Sequence, residues 1–137
     1  MSRTNLRYLV LFASIFFSVV GHAEGPIEKD RVISVSVLLD PSSRLYGKTV
    51  VVFGYFKLLG AEGGIQYGRL CSDRESAEKN YRPNCLVVEM EMRMSRLAKS
   101  ADGKFSQIEA TPEVENILTT HPGKLTRVTR ISSYSVK

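Results

Sequence analysis

The chain has 137 residues, 43% of them hydrophobic and 24% charged, with 19 Lys+Arg against 14 Asp+Glu for a net charge of +5. That length admits one small domain with its own core. A positive balance this modest does not single out a nucleic-acid partner, and two cysteines with two histidines leave little material for a zinc site.

Residues 1–23 read as a secretory signal peptide. Arg3 and Arg7 make a positive start, and Tyr8 to Val20 is an almost uninterrupted apolar run. Gly21-His22-Ala23 then places small residues three before and one before a cut ahead of Glu24. The apolar run of 13 residues is short of the ~20 a spanning helix needs, so no transmembrane segment is expected in the mature chain. No cysteine follows the cut, which argues against a lipid anchor. Cleavage after Ala23 removes two arginines and no acids, leaving 114 residues with 17 Lys+Arg against 14 acids, a net of +3. The expected location is the periplasm or the outside of the cell.

Residues 24–32 form a polar lead-in containing Pro26, and a single domain spans 33–137. Val35, Leu38 and Leu39 have helical spacing after a candidate cap at Ser34, and Asp40-Pro41 would stop the helix. The alternation of Val35, Val37 and Leu39 also admits a strand; the short helix is preferred. After a turn at Tyr46-Gly47-Lys48, residues 49–59 form the clearest strand, rich in β-branched and aromatic residues. Both its faces are apolar, and Gly54 in its middle marks a sharp bend. A glycine-rich turn over 60–64 leads into a second strand, 65–70.

Residues 72–81 are charged, and Ser72 with Glu75 three residues later has capping-box spacing, which predicts a one- to two-turn helix or an ordered loop. Residues 86–94 predict a third strand, with Leu86, Val88, Met90, Met92 and Met94 on one face. Residues 95–102 read as a polar loop ending in a turn at Asp102-Gly103. A fourth strand over 104–110 has Phe105 and Ile108 as its main apolar residues. Pro112 could then open a helical turn carrying Val114, Ile117 and Leu118, and a fifth strand runs from Lys124 to Val136.

Cys71 and Cys85 can pair in only one way, and an exported chain favours a disulfide between them. It would join the end of the second strand to the start of the third and stabilise the fold by about 3 kcal/mol. Their spacing is not that of a redox-active C-x-x-C pair. Five short strands, one bent at a central glycine, with small helical inserts, predict a mainly β domain: the five-stranded Greek-key barrel of the oligonucleotide/oligosaccharide-binding (OB) fold.

The words Asp40-Pro41-x-x-x-Leu45-Tyr46-Gly47-Lys48-x-Val50-x-Val52-x-Gly54-Tyr55-Phe56 resemble a pattern of small exported bacterial OB-fold-like proteins of unknown function. Ser72-Asp73-Arg74-Glu75-Ser76-Ala77 and Asn84-Cys85-Leu86-Val87-Val88 stand where that pattern has a short helix and a strand. Gly103-Lys104-Phe105-x-x-Ile108-Glu109 and Gly123-Lys124-Leu125-x-x-Val128-x-x-Ile131 are similar to its later part. Ala110-Thr111-Pro112 and His121-Pro122-Gly123 depart from it. The resemblance implies the fold and carries no activity.

Candidate chemistry is sparse. His121 is the one histidine left after cleavage, without the nucleophile elbow or orienting acid that acyl transfer needs. Glu89 and Glu91 share a strand face with Arg93, the pattern of a solvated side. Gly60-Ala61-Glu62-Gly63-Gly64 lacks the G-K-[ST] ending of a phosphate loop. No cofactor motif, metal set or catalytic residue is assigned. Lys124, Arg127, Arg130 and Lys137, with Tyr134, form an acid-free run that makes the last strand the candidate binding surface. Tyr46, Tyr55, Phe56 and Tyr67 are expected mainly in the core. The reading is an exported, non-enzymatic OB-like binding module for a protein or an anionic envelope component. Alternatives are a small periplasmic hydrolase and an inhibitor or immunity-type protein. Export argues against nucleic acid, and nothing in the sequence specifies an oligomeric state.

Overall fold

The structure, a computed structural model, describes residues 31–114 and 122–134. The predicted signal peptide, most of the lead-in, the Ile117–Leu118 turn, His121 and Lys137 lie outside the described residues. A three-residue strand β1 (Val32–Ser34) leads into a 3₁₀ helix (Val35–Leu39), then β2 (Val50–Glu62), β3 (Ile65–Cys71) and α1 (Arg74–Glu78). There follow β4 (Cys85–Glu91), α2 (Ser95–Ala101), β5 (Lys104–Val114) and β6 (Gly123–Ser133). The strands lie in the order β1-β2-β3-β4-β6-β5, and β2 also pairs with β5. That last pairing closes five strands into a barrel. Within the barrel β4 and β6 run parallel and every other pair antiparallel. This is the OB-like barrel that the strand pattern predicts.

β2 carries the closure because it pairs along both edges. Val50, Val52 and Phe56 point into the core, fully buried, while Val51 and Tyr55 on the other face are only 3% and 7% exposed. The strand is therefore apolar on both sides, and alternation is lost from its sequence. Two glycines let β2 and β3 approach closely. A Cβ at Gly54 would lie 2.7 Å from the Cys71 carbonyl oxygen, and one at Gly68 would lie 2.6 Å from the Phe56 ring. Gly63 and Gly64, at φ +60° and +81°, make the two-residue turn between these strands. The core is completed by Leu38, Leu70, Leu86, Val88, Ile108 and Leu125, and by Met94, Ala98 and Ala101 at the α2 side.

Several expectations are corrected. The 3₁₀ helix begins at the predicted Ser34 cap, whose hydroxyl accepts from the Ser36 amide, but Val32–Ser34 before it adds a parallel edge strand to β2. The cap of α1 is Asp73, not Ser72: its carboxylate accepts from the Ser76 amide at 2.7 Å. β4 ends at Glu91, because a 3₁₀ turn over Met92–Met94 redirects the chain; Met94 is buried while Met92 is 44% exposed. Ser95–Ala101 is a helix rather than a loop, with small residues on its buried face. β5 extends to Val114, so Pro112 lies in a strand, paired with Leu125, and its carbonyl accepts from the Gly47 amide at 2.7 Å. Phe105 lies on the outside of the barrel, opposite in facing to Ile108.

Candidate binding face

The disulfide organises one end of this face. Cys71 and Cys85 occupy directly paired positions of β3 and β4, with an S–S distance of 2.07 Å across a separation of 14 residues. Both are fully buried in a satellite cluster with Tyr55 and Ala77, beneath α1. The loop they close carries α1, which the exposed pairs Arg74–Glu78 and Lys79–Glu75 support along one side. The helix ends in a Schellman arrangement: the Tyr81 amide donates to the Ser76 carbonyl at 2.8 Å, and Asn80 sits at φ +55°. Asparagine tolerates that left-handed geometry better than most residues. From there its side-chain oxygen accepts a hydrogen bond from Nη1 of Arg69.

Strand register places Arg69 in the middle of a row. Lys57 of β2 pairs with Arg69 of β3, Arg69 with Val87 of β4, and Val87 with Lys124 of β6. Paired residues in a sheet share a face, so three cations and one valine cross four strands on the outside of the barrel. One pleat further, Tyr67 of β3 pairs with Glu89 of β4, and beyond them Ile65 pairs with Glu91. The face is thus basic toward the disulfide and acidic toward the β2–β3 turn.

The charges are not equivalent. Lys124 reaches Glu89 at 3.5 Å, and Glu91 pairs instead with Arg93 at 2.6 Å. Lys57 lies in the field of Glu78, whose carboxyl is held below its ordinary value chiefly by its hydrogen bond from Arg74 and further by the charges of Arg74 and Lys57. Arg69 has a neutral partner in Asn80. Its Nε is buried with no hydrogen-bond partner among the described residues. Burial, and then the like charge of Arg82, lower its guanidinium from the ordinary value.

The residues picked out along the last strand do not form one cluster. Lys124 belongs to the row just described. Arg127 is exposed at φ +51°, where β6 bulges opposite β5. Arg130 faces Glu109 across that pair at 3.8 Å, and Glu109 also accepts from the Thr129 hydroxyl at 2.6 Å. Tyr134 packs edge-on against Phe53, with ring centroids 5.5 Å apart, and bonds to the Gln107 amide. Phe53 in turn stacks on Phe105 at 5.6 Å, and Phe105 meets Tyr55 edge-on. From Lys124 to Tyr134 the strand runs up to roughly 30 Å, at ~3.3 Å per residue. Lys57 and Arg69 were hidden in the sequence as lone cations within apolar strands. Of the aromatic residues expected inside, Phe56 is fully buried, Tyr55 nearly so and Tyr46 partly, whereas Tyr67 lies half-buried on the outer face.

No family model matches the chain, and no curated protein matches it. Among solved structures, a protein described as an aspartyl-tRNA synthetase of Leishmania major Friedlin is similar at a TM-score of 0.52 and 17% identity. The match covers 82% of this chain and 22% of that one, so this chain spans under a quarter of its length. OBody AM3L09, in a structure where it is bound to hen egg-white lysozyme, matches at a TM-score of 0.49 and 20% identity. That match covers 68% of this chain and 85% of that one. At these identities, what the synthetase comparison shows is the fold, the OB-like barrel on whose outer face the Lys57–Arg69–Lys124 row lies.

Proposed function

We propose that the protein is an exported, non-enzymatic binding module that holds a protein or an anionic envelope component against the outer face of β2, β3, β4 and β6. The observation that carries this reading is the row Lys57–Arg69–Lys124, three cations set in register across the barrel. OB barrels commonly bind through the face of their second and third strands, which here are β3 and β4. The carboxylates of the same face support binding over acid–base chemistry, because Glu89 and Glu91 are engaged by two different cations rather than aimed at a common point.

The test is charge reversal in pairs, with capture from envelope extracts and identification of the captured species. Lys57→Glu with Lys124→Glu should abolish capture of the species that the unmodified protein retains. Arg127→Glu with Arg130→Glu should weaken it less, since these two lie elsewhere on β6. Undiminished capture by the folded Lys57/Lys124 variant would dismiss this face as the contact surface.

A further inference from the structure

Among the described residues, Arg69 is the cation of the row with no carboxylate partner. Lys124 has Glu89 and Lys57 has the field of Glu78, whereas the bonding partner of Arg69 is an uncharged amide and its charged neighbour is Arg82. Charges drawn partly out of water are ordinarily paired with the opposite sign. Here the guanidinium is nevertheless fixed in place. Asn80 holds Nη1 from the left-handed end of α1, and α1 belongs to the loop closed by Cys71–Cys85. A planar, preorganised fork of donors, half-buried, with Lys57 beside it on β2 and Lys124 one strand beyond Val87, is the kind of receptor that suits an oxyanion. Added to that of Lys57 across the β2–β3 pair, its charge suits a phosphate better than a single carboxylate.

We propose that Arg69 anchors an oxyanion site, flanked by Lys57 and Lys124, that takes the phosphate group of an ester ligand. The Nη2 end of the guanidinium makes the central contact, and Tyr67, one pleat along β3, borders the group that bears the phosphate. This site rests on the binding-face reading above and narrows it to one chemistry. The phosphate can belong to a soluble ester or to a lipid headgroup.

Titration of the nitrogen-labelled, oxidised protein with inorganic phosphate and with glycerol phosphate should move the Arg69 Nε–H and Asn80 side-chain amide resonances. Sedimentation with phosphatidylcholine vesicles, with and without phosphatidylglycerol, forms the second arm. Arg69→Gln should remove binding, and Arg69→Lys should weaken it roughly tenfold through loss of the fork. Lys99→Gln, exposed on α2, should leave it unchanged. Binding in the solution arm identifies a soluble ester; binding only to phosphatidylglycerol vesicles, removed in Arg69→Gln and weakened in Arg69→Lys, identifies a headgroup. Failure in both arms overturns the site, as do shifts that bypass Arg69. If envelope capture requires Lys57 and Lys124 yet survives Arg69→Gln, the binding face stands and this site does not.

Discussion

Gly123 stands where any side chain would strike Tyr46. A Cβ there would lie 2.5 Å from the phenolic oxygen and 3.0 Å from the Glu113 carbonyl. The ring cannot retreat without loss, because its hydroxyl donates to the Leu38 carbonyl and so ties the 3₁₀ helix to the start of β6. Gly123→Ala should therefore destabilise the protein by about 1–3 kcal/mol, as overpacking does. Tyr46→Phe keeps the ring and should cost about 1 kcal/mol for the hydrogen bond. In a Tyr46→Ala background the contact with the ring is gone and only the 3.0 Å approach to the Glu113 carbonyl remains, so Gly123→Ala should become cheaper. Denaturant unfolding of the four variants, read as a double-mutant cycle, measures that coupling; purely additive losses would refute it.

The disulfide should matter twice. Replacing both Cys71 and Cys85 by alanine opens the 14-residue separation and should lower stability by about 3 kcal/mol. It also loosens the loop that carries Asn80, so ordering of the Arg69 guanidinium should suffer before the barrel does. Hydrogen exchange checks this: protection should fall first over α1 and the ends of β3 and β4, while β2 and β5 keep theirs. A uniform loss across the barrel would show that the cross-link acts only on the unfolded chain.

Acid should weaken the α1 region through Asp73. Its carboxylate accepts from the Ser76 amide at 2.7 Å and the Ser76 hydroxyl at 3.0 Å, and these bonds hold its pKa below the ordinary 3.8. A carboxyl depressed by folding stabilises the fold above its unfolded pKa and loses that contribution as pH falls through the folded value. Asp40, lowered by its bonds from Ser42, acts in the same direction. Asp73→Asn should thus lower Tm at neutral pH, and the difference from the unmodified protein should vanish below the carboxylate range. A difference that persisted unchanged into strong acid would mean that the charge of Asp73 is irrelevant.

The barrel was readable because its strongest signals are local. Thr49–Leu59 is apolar throughout, Gly63-Gly64 marks a tight turn, and Cys71 and Cys85 can pair in only one way. The Lys57–Arg69–Lys124 row was not, because Lys57 meets Arg69 only through the register of the β2–β3 hairpin, and Lys124 joins them, beyond Val87, only through the long-range β4–β6 pairing. Nothing in a single strand says which residue of the next will lie beside it. The basic residues of the last strand stand out in the sequence for the opposite reason. Proximity in sequence is not proximity in space: the extended strand spreads these residues out, with Lys124 facing Glu89 and Arg130 facing Glu109.

The helix α2 leaves a weak signal in the sequence because alanine does the burying. Met94, Ala98 and Ala101 recur at helical spacing and are at most 3% exposed, yet two of the three are too small to make an apolar stripe stand out. The small face lets α2 pack closely on β2, β5 and β6. Gln66 secures its start: the buried amide donates to the Gly60 carbonyl at 2.7 Å and accepts from the Ser95 hydroxyl at 3.3 Å. A charge at the contact has no partner there, so Ala98→Glu should destabilise the fold by several kcal/mol or prevent folding. Leu97→Glu, one residue away but 45% exposed, should stay within about 0.5 kcal/mol of the unmodified protein. Thermal unfolding of the pair separates the two positions. Equal stability would mean that α2 lies loosely on the barrel rather than sealing it.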